Sequence, residues 1–182
     1  MSKTKNFIFQ GKQSFSGSKL AQIKDQFNKS NQLDAEFNSN EIYIVLADSD
    51  QFNKEGIKDI LCAEDSNDQF NFYVGPRLGT ISPWSSKTED IIKNVGLKNI
   101  LRIERLYGFR ADLKLDFDNL DFSMFFDRMT QSIYRNHDDF KNIFASDVPR
   151  SLNHIDILDK GKSELEKANK SFGFAMSNNE ID

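Results

Sequence analysis

The chain has 182 residues, of which 38% are hydrophobic and 17 are phenylalanine, enough apolar bulk for one domain with its own core. A formal net charge of -4 and a pI of about 5.3 remove the electrostatic case for a nucleic-acid partner. No apolar run approaches the ~20 residues of a membrane span, and the start MSKTKNFIFQ has no signal-peptide apolar region. The single cysteine, Cys62, cannot form an internal disulfide, which points to a reducing, cytoplasmic setting. It follows Ile60 and Leu61 on an expected helix and reads as a buried structural thiol. His137 and His154 lack metal-ligand spacing, so no metal site is expected.

In chain order, Phe7 to Phe9 predict a first strand ending at Gly11. Ser16, Gly17 and Ser18 offer a helix cap, and Leu20, Ile23 and Phe27 follow at helical spacing. Leu33 to Phe37 reads as a strand turned by Asn38-Ser39-Asn40. Ile42, Ile44 and Leu46 alternate with Glu41, Tyr43 and Val45 as another, and a helix is expected from about Asn53 to Ala63. AEDSNDQ is a polar loop, after which Phe70, Phe72 and Val74 alternate up to Gly75. A further helix carries Ile91, Ile92 and Val95, with Gly96 placed for a left-handed end. Ile100 to Leu106 predicts a strand, Tyr107-Gly108 a turn, and Phe109 to Phe117 another strand. Phe122, Phe125, Phe126, Met129 and Ile133 make a helical stripe, capped by Asp118 or Asp121.

The two halves line up. Gly11 and Gly75 stand 64 apart, as do Ser18 and Ser82, and Leu33 and Leu97. Each half reads strand, helix, strand, strand, helix. The expected fold is therefore α+β: two duplicated βαββα units related by a pseudo-two-fold, their sheets packed together with helices outside. This domain is expected over residues 1–136. A connecting segment follows over 137–154, broken by Pro149, with a helical turn around Phe140, Ile143 and Phe144. Residues 155–182 form a short helical linker with Leu165, Ala168 and Phe172 on one face, and Phe172, Phe174 and Met176 left exposed.

The stretch GPRLGTISPWSSKTED, Gly75 to Asp90, concentrates chemistry-bearing residues. It is not a P-loop, because Gly75 and Gly79 are only four apart and Thr80 follows where lysine is needed. Ser82, Ser85 and Ser86 have no nucleophile elbow around them and no nearby histidine. The string fits a helix start: Ser82 as cap with Pro83 at the first helical position, or Ser86 as cap with Glu89 three residues on. A helix start does not account for Trp84 and Arg77 on one loop, a pairing common at interfaces.

YVGPRLGTISPWSSKTEDIIKNVGL followed by ILRIER, then FFDRMTQSIY and DILDKGKSELEKANKSFGFAMSNNEID, resembles the N-terminal region and linker of the large single-chain phosphoribosylformylglycinamidine synthases. The resemblance covers residues 70 to 182 well and the first 65 loosely. It implies a fold like a dimer of the small separate subunit of multi-chain forms, in agreement with the repeat. It implies a full-length, ATP- and Mg-dependent enzyme that converts formylglycinamide ribonucleotide, ATP, glutamine and water to the amidine, ADP, phosphate and glutamate. It also implies that the synthetase core and the glutaminase lie outside these residues. This segment would then hold no catalytic residues and no cofactor of its own, and Cys62, His137 and His154 match none of the family's catalytic positions.

On that resemblance the expected role is structural. The segment would bridge the glutaminase and synthetase domains of its own chain and help shape the passage of ammonia. Arg77, Ser82, Trp84, Ser85, Ser86 and Lys87 are the expected docking residues. A free-standing ferredoxin-like module that binds a small ligand is the alternative.

Overall fold

The computed structural model describes residues 4–48, 52–66, 69–140, 142–145 and 151–181. Asn67 and Asp68 of the polar loop and the break at Pro149 lie outside them. The chain divides into two compact units, Met1–Ser146 and Asp147–Asp182.

The first unit is α+β, built on one six-stranded antiparallel sheet in the order β3-β1-β2-β5-β4-β6. Strand β1 (Lys5–Gln13) leads to helix α1 (Gly17–Asn31), strand β2 (Phe37–Ala47) and helix α2 (Lys54–Leu61). The two-residue strand β3 (Glu64–Asp65) and β4 (Phe72–Pro76) follow, then α3 (Pro83–Asn94), β5 (Ile100–Ala111) and β6 (Gln131–Tyr134). Two of the three helix caps anticipated in the sequence form: Ser16 accepts from the Lys19 amide and Ser82 from the Ser85 amide. Asn53 caps α2, and Gly96 takes the left-handed conformation with φ 79°.

The halves do not stack as two sheets. β2 and β5 pair edge to edge along their whole length, from Phe37 opposite Ala111 to Ala47 opposite Ile100. This pairing satisfies the backbone groups that two stacked sheets would leave along an open edge. In each half an expected pair of strands is one long strand. Residues 33–36 are irregular and Asn38-Ser39-Asn40 lies inside β2, while Tyr107-Gly108 lies inside β5. Gly108 is not a turn glycine. A Cβ there would sit 2.8 Å from the Phe70 ring and 3.1 Å from Ile42, so the residue is small to let Phe70 cross the sheet.

The third correction is the stripe from Phe122 to Ile133. It forms a single 3-10 turn at Ser123–Phe125 and then strand β6, and Met129 is 81% exposed. Two aspartates take the amides a helix would use. The Ser123 amide donates to Asp121 at 2.8 Å, and the Met129 amide to Asp127 at 2.8 Å. Phe122 and Phe125 are buried nonetheless, in a cluster of rings with Phe27, Phe37, Phe72 and Phe109. Leu113, Leu115 and Phe117 reach the same cluster from irregular chain, not from a strand.

One sheet face carries the helices. Leu20, Ile23 and Phe27 of α1 pack on Phe37, Phe72 and Phe109, while Ile57 of α2 and Ile92 of α3 pack on Tyr43, Val45 and Ile103. The alternating residues Ile42, Ile44 and Leu106 face the other way. They are covered by Phe70, Phe140 and Ile143, not by a second sheet. Phe140 and Ile143, expected in a connecting segment, are thus core residues, held in consecutive turns by the amide of Ile143 on the Phe140 carbonyl and that of Ala145 on Asn142. Cys62 is exposed, at the left-handed end of α2 with φ 48°, so the buried thiol expected there does not form.

Among its described residues the second unit has three short helices, α4 (Ile157–Lys160), α5 (Lys162–Phe172) and α6 (Asn178–Ile181). Phe172 and Phe174 stack on each other, 5.5 Å apart, and about half of each is exposed. Among the described residues no helix is long and apolar enough to cross a membrane.

Candidate functional site

The expected docking string divides into an internal part and a surface part. Ser82 turns its hydroxyl to Glu104 of β5 and accepts from the Ser85 amide at 3.0 Å. Glu104 is fully buried, and its carboxylate also receives the Ser82 amide at 3.4 Å and the Arg105 amide at 3.3 Å, with the Arg102 guanidinium 3.8 Å away. Ser85 is fully buried as well. Its hydroxyl donates to the Ile103 carbonyl and lies 3.3 Å from Glu89. Ser82 is therefore the cap and Glu89 completes no capping box, while Ser85 is withdrawn from any partner by burial. These two serines fasten α3 to β5.

Ser86 and Lys87 are exposed on the first turn of α3, and Arg77 is exposed on the preceding loop. Arg77 and Trp84 do not share a cavity. Arg77 lines a depression of about 560 Å³ with Leu78, Ser132 and Arg135 against β6. Trp84 lines a separate groove of about 450 Å³, walled by Ile81, Pro83, Tyr107 and Met129 with Arg105 in its lining. Ile81 is 62% exposed, so this rim is apolar and open.

Beneath the groove lies a network that sequence reading missed. The Tyr43 ring stacks on Trp84 at 5.6 Å and 21°. The Tyr43 hydroxyl donates to Glu41 at 2.6 Å, and the Arg105 guanidinium donates to the other oxygen of Glu41 at 3.2 Å. Arg105 also lies over the Trp84 ring at 5.1 Å and the Tyr107 ring at 5.4 Å. Burial, followed by the bond to the Glu41 carboxylate, pushes the Tyr43 phenol well above its ordinary range, so it stays a proton donor. Gly11 makes room for this stack, since a Cβ there would meet the Tyr43 ring at 2.7 Å. The signal was available: charged residues interrupt two apolar strands, and Glu41 and Arg105 stand 64 apart, the spacing already noted for Gly11 and Gly75.

On the opposite face, Tyr73 Oη and His137 Nε2 are 2.6 Å apart beside a cavity of about 300 Å³. Burial holds the His137 ring below the ordinary imidazole range. Tyr134 donates to the Pro76 carbonyl, and burial pushes its phenol up to about 12. Among the described residues, no group of three or more His, Cys, Asp and Glu side chains could hold a metal ion. The groove has aromatic walls and one guanidinium, and the Ser82 hydroxyl in its lining is spent on the buried Glu104 carboxylate and on capping α3. What it can do is receive an apolar surface.

The sequence model of the family described as formylglycinamide ribonucleotide amidotransferase N-terminal matches residues 12–144, closely the span of the first unit. That family is the N-terminal domain of phosphoribosylformylglycinamidine synthase, an amidotransferase of purine biosynthesis whose other domains lie in the same, larger chain. With well over half of its residues matched, the chain belongs to the formylglycinamide ribonucleotide amidotransferase N-terminal family.

Proposed function

We propose that this domain is a docking scaffold of a cytoplasmic synthase. It joins the glutaminase and the synthetase core of its own chain and supports the passage of ammonia between them. ATP and Mg²⁺, and the ligation of formylglycinamide ribonucleotide with glutamine nitrogen, belong to those other domains, and the isolated segment is inert. The observation that carries this reading is the open groove at the start of α3. Its apolar rim residues Ile81 and Met129 are largely exposed, yet they surround a tightly built aromatic and ionic floor. A rigid floor under an exposed apolar rim is what an interface anchor site needs.

The test uses the full-length synthase and follows glutamine hydrolysis and amidine formation together. Met129→Glu with Ile81→Asp, and separately Trp84→Ala with Arg77→Ala, should uncouple the two, with glutamate released in several-fold excess over amidine. Unchanged rates and stoichiometry in both double variants would rule the docking role out.

A further inference from the structure

The sheet face away from the helices is closed by a strap of turns, not by a regular element. Residues 137–140 and 142–145 follow β6 and lay Phe140 and Ile143, both buried, over Ile42, Ile44 and Leu106. Local bonds give the strap its shape. Asn136 Oδ1 receives the amides of Asp138 at 2.8 Å and Asp139 at 3.1 Å, and the Phe140 carbonyl receives the Ile143 amide at 3.0 Å. Those bonds do not hold the strap to the sheet. The Tyr73–His137 pair does so, at 2.6 Å, with the Phe140 ring 5.0 Å from Tyr73 and 5.3 Å from His137. At the far end the Arg102 guanidinium lies over the Phe144 ring at 5.2 Å.

The Tyr73–His137 bond works in one protonation state. The Tyr73 oxygen already accepts from the Phe70 backbone, so the phenol gives its own proton to Nε2, which must be a bare acceptor. A second proton on the imidazole places two donors face to face. The phenol proton is then displaced towards the rings of Phe70 and Phe140, which cannot accept it as nitrogen does. The cavity of about 300 Å³ that both side chains line gives water a route to the pair.

The charges around the pair are mixed. Asp138 draws a proton to His137, while burial opposes it and is the larger influence. Arg135 lines the same cavity with its guanidinium on Asp118, and Asp139 is engaged by the Arg135 amide. Arg110 lies over the Phe70 ring at 4.3 Å and acts on Tyr73 from β5.

We propose that protonation of His137 unlatches the strap and uncovers the apolar sheet face around Ile42, Ile44 and Leu106. The device is local and independent of the groove on the other face. Each step is a proton transfer with water, and the helices and the β2–β5 ladder stay in place.

The experiment is amide hydrogen exchange on the full-length synthase at about pH 7.5 and about pH 5.5, on either side of the ordinary imidazole value of about 6.5, with intrinsic rates divided out. Protection of the strap peptide should fall several-fold at the lower pH, while peptides of α1 and of β5 keep theirs. His137→Gln retains an acceptor for Tyr73 but cannot titrate, so its strap protection should be the same at both values. Tyr73→Phe removes the donor. It should leave the strap several-fold less protected already at the higher pH, and should raise the midpoint of the His137 imidazole signal in NMR titration. Strap protection that does not change with pH, an equal change in His137→Gln, or a loss shared by α1 and β5 would each overturn the proposal.

Discussion

The two helix starts on the sheet use the same device under different loads. At α1, Ser16 is exposed, accepts from the Lys19 amide at 3.3 Å, and shares its hydroxyl only with Ser18. At α3, Ser82 accepts from the Ser85 amide at 3.0 Å and gives its proton to a buried glutamate on β5. The first cap ends a helix. The second also supplies a hydrogen bond to a carboxylate buried away from solvent. Identical local geometry can thus be a minor or a major element of stability, depending on what lies behind the hydroxyl.

The sharpest test of that contrast is a pair of alanine variants followed by denaturant unfolding. Ser82→Ala should cost about 2–4 kcal/mol, the cap plus an under-partnered buried carboxylate. Ser16→Ala should cost about 0.5–1 kcal/mol. Equal losses would mean that Glu104 does not depend on Ser82. Next in size, Trp84→Ala should cost about 2 kcal/mol through lost packing on Tyr43 and Arg105. Met129→Glu, on the same groove, should stay within about 0.5 kcal/mol because the side chain is 81% exposed. The groove would then have a structural wall and a purely functional one.

Titration probes the sheet face away from the helices at both ends of the pH range. The Tyr134 phenol is pushed up to about 12, so the folded state keeps its proton after the unfolded chain has lost one. Stability from this group is full below pH 10 and is lost as pH rises from 10 towards 12. Tyr134→Phe should make that alkaline limb shallower, as read by thermal melts. His137 is lowered, so its contribution is full above the ordinary imidazole value of about 6.5 and is lost as pH falls below it. His137→Gln should flatten this smaller acid limb. A steeper limb would mean that the bond to Tyr73 strengthens on protonation.

The caps at Ser16 and Ser82 were the most legible features, because they act through amides only a few residues away. The two long strands were read as four because Asn38-Ser39-Asn40 and Tyr107-Gly108 look like turns. Ladder partners across the sheet and the crossing Phe70 ring decide otherwise, and neither is visible in a local window. The stripe from Phe122 to Ile133 failed for a related reason. Spacing shows which residues are apolar, but Asp121 and Asp127 decide where the amides go. Of the site, Trp84 was legible by composition. The partners that hold it, Glu41, Tyr43 and Arg105, come from other strands.

The edge-to-edge pairing of β2 with β5 bears on synthesis of the chain. β2 spans 11 residues and finds its second partner only when β5 has been made, more than fifty residues later. Until then a nascent first half presents a long, apolar, unpaired strand edge, the kind of template on which chains join one another. Two-residue β3 protects only the far side of β1. Translation that pauses between Ala47 and Ile100 should therefore favour aggregation, whereas a pause after Ala111 should be harmless.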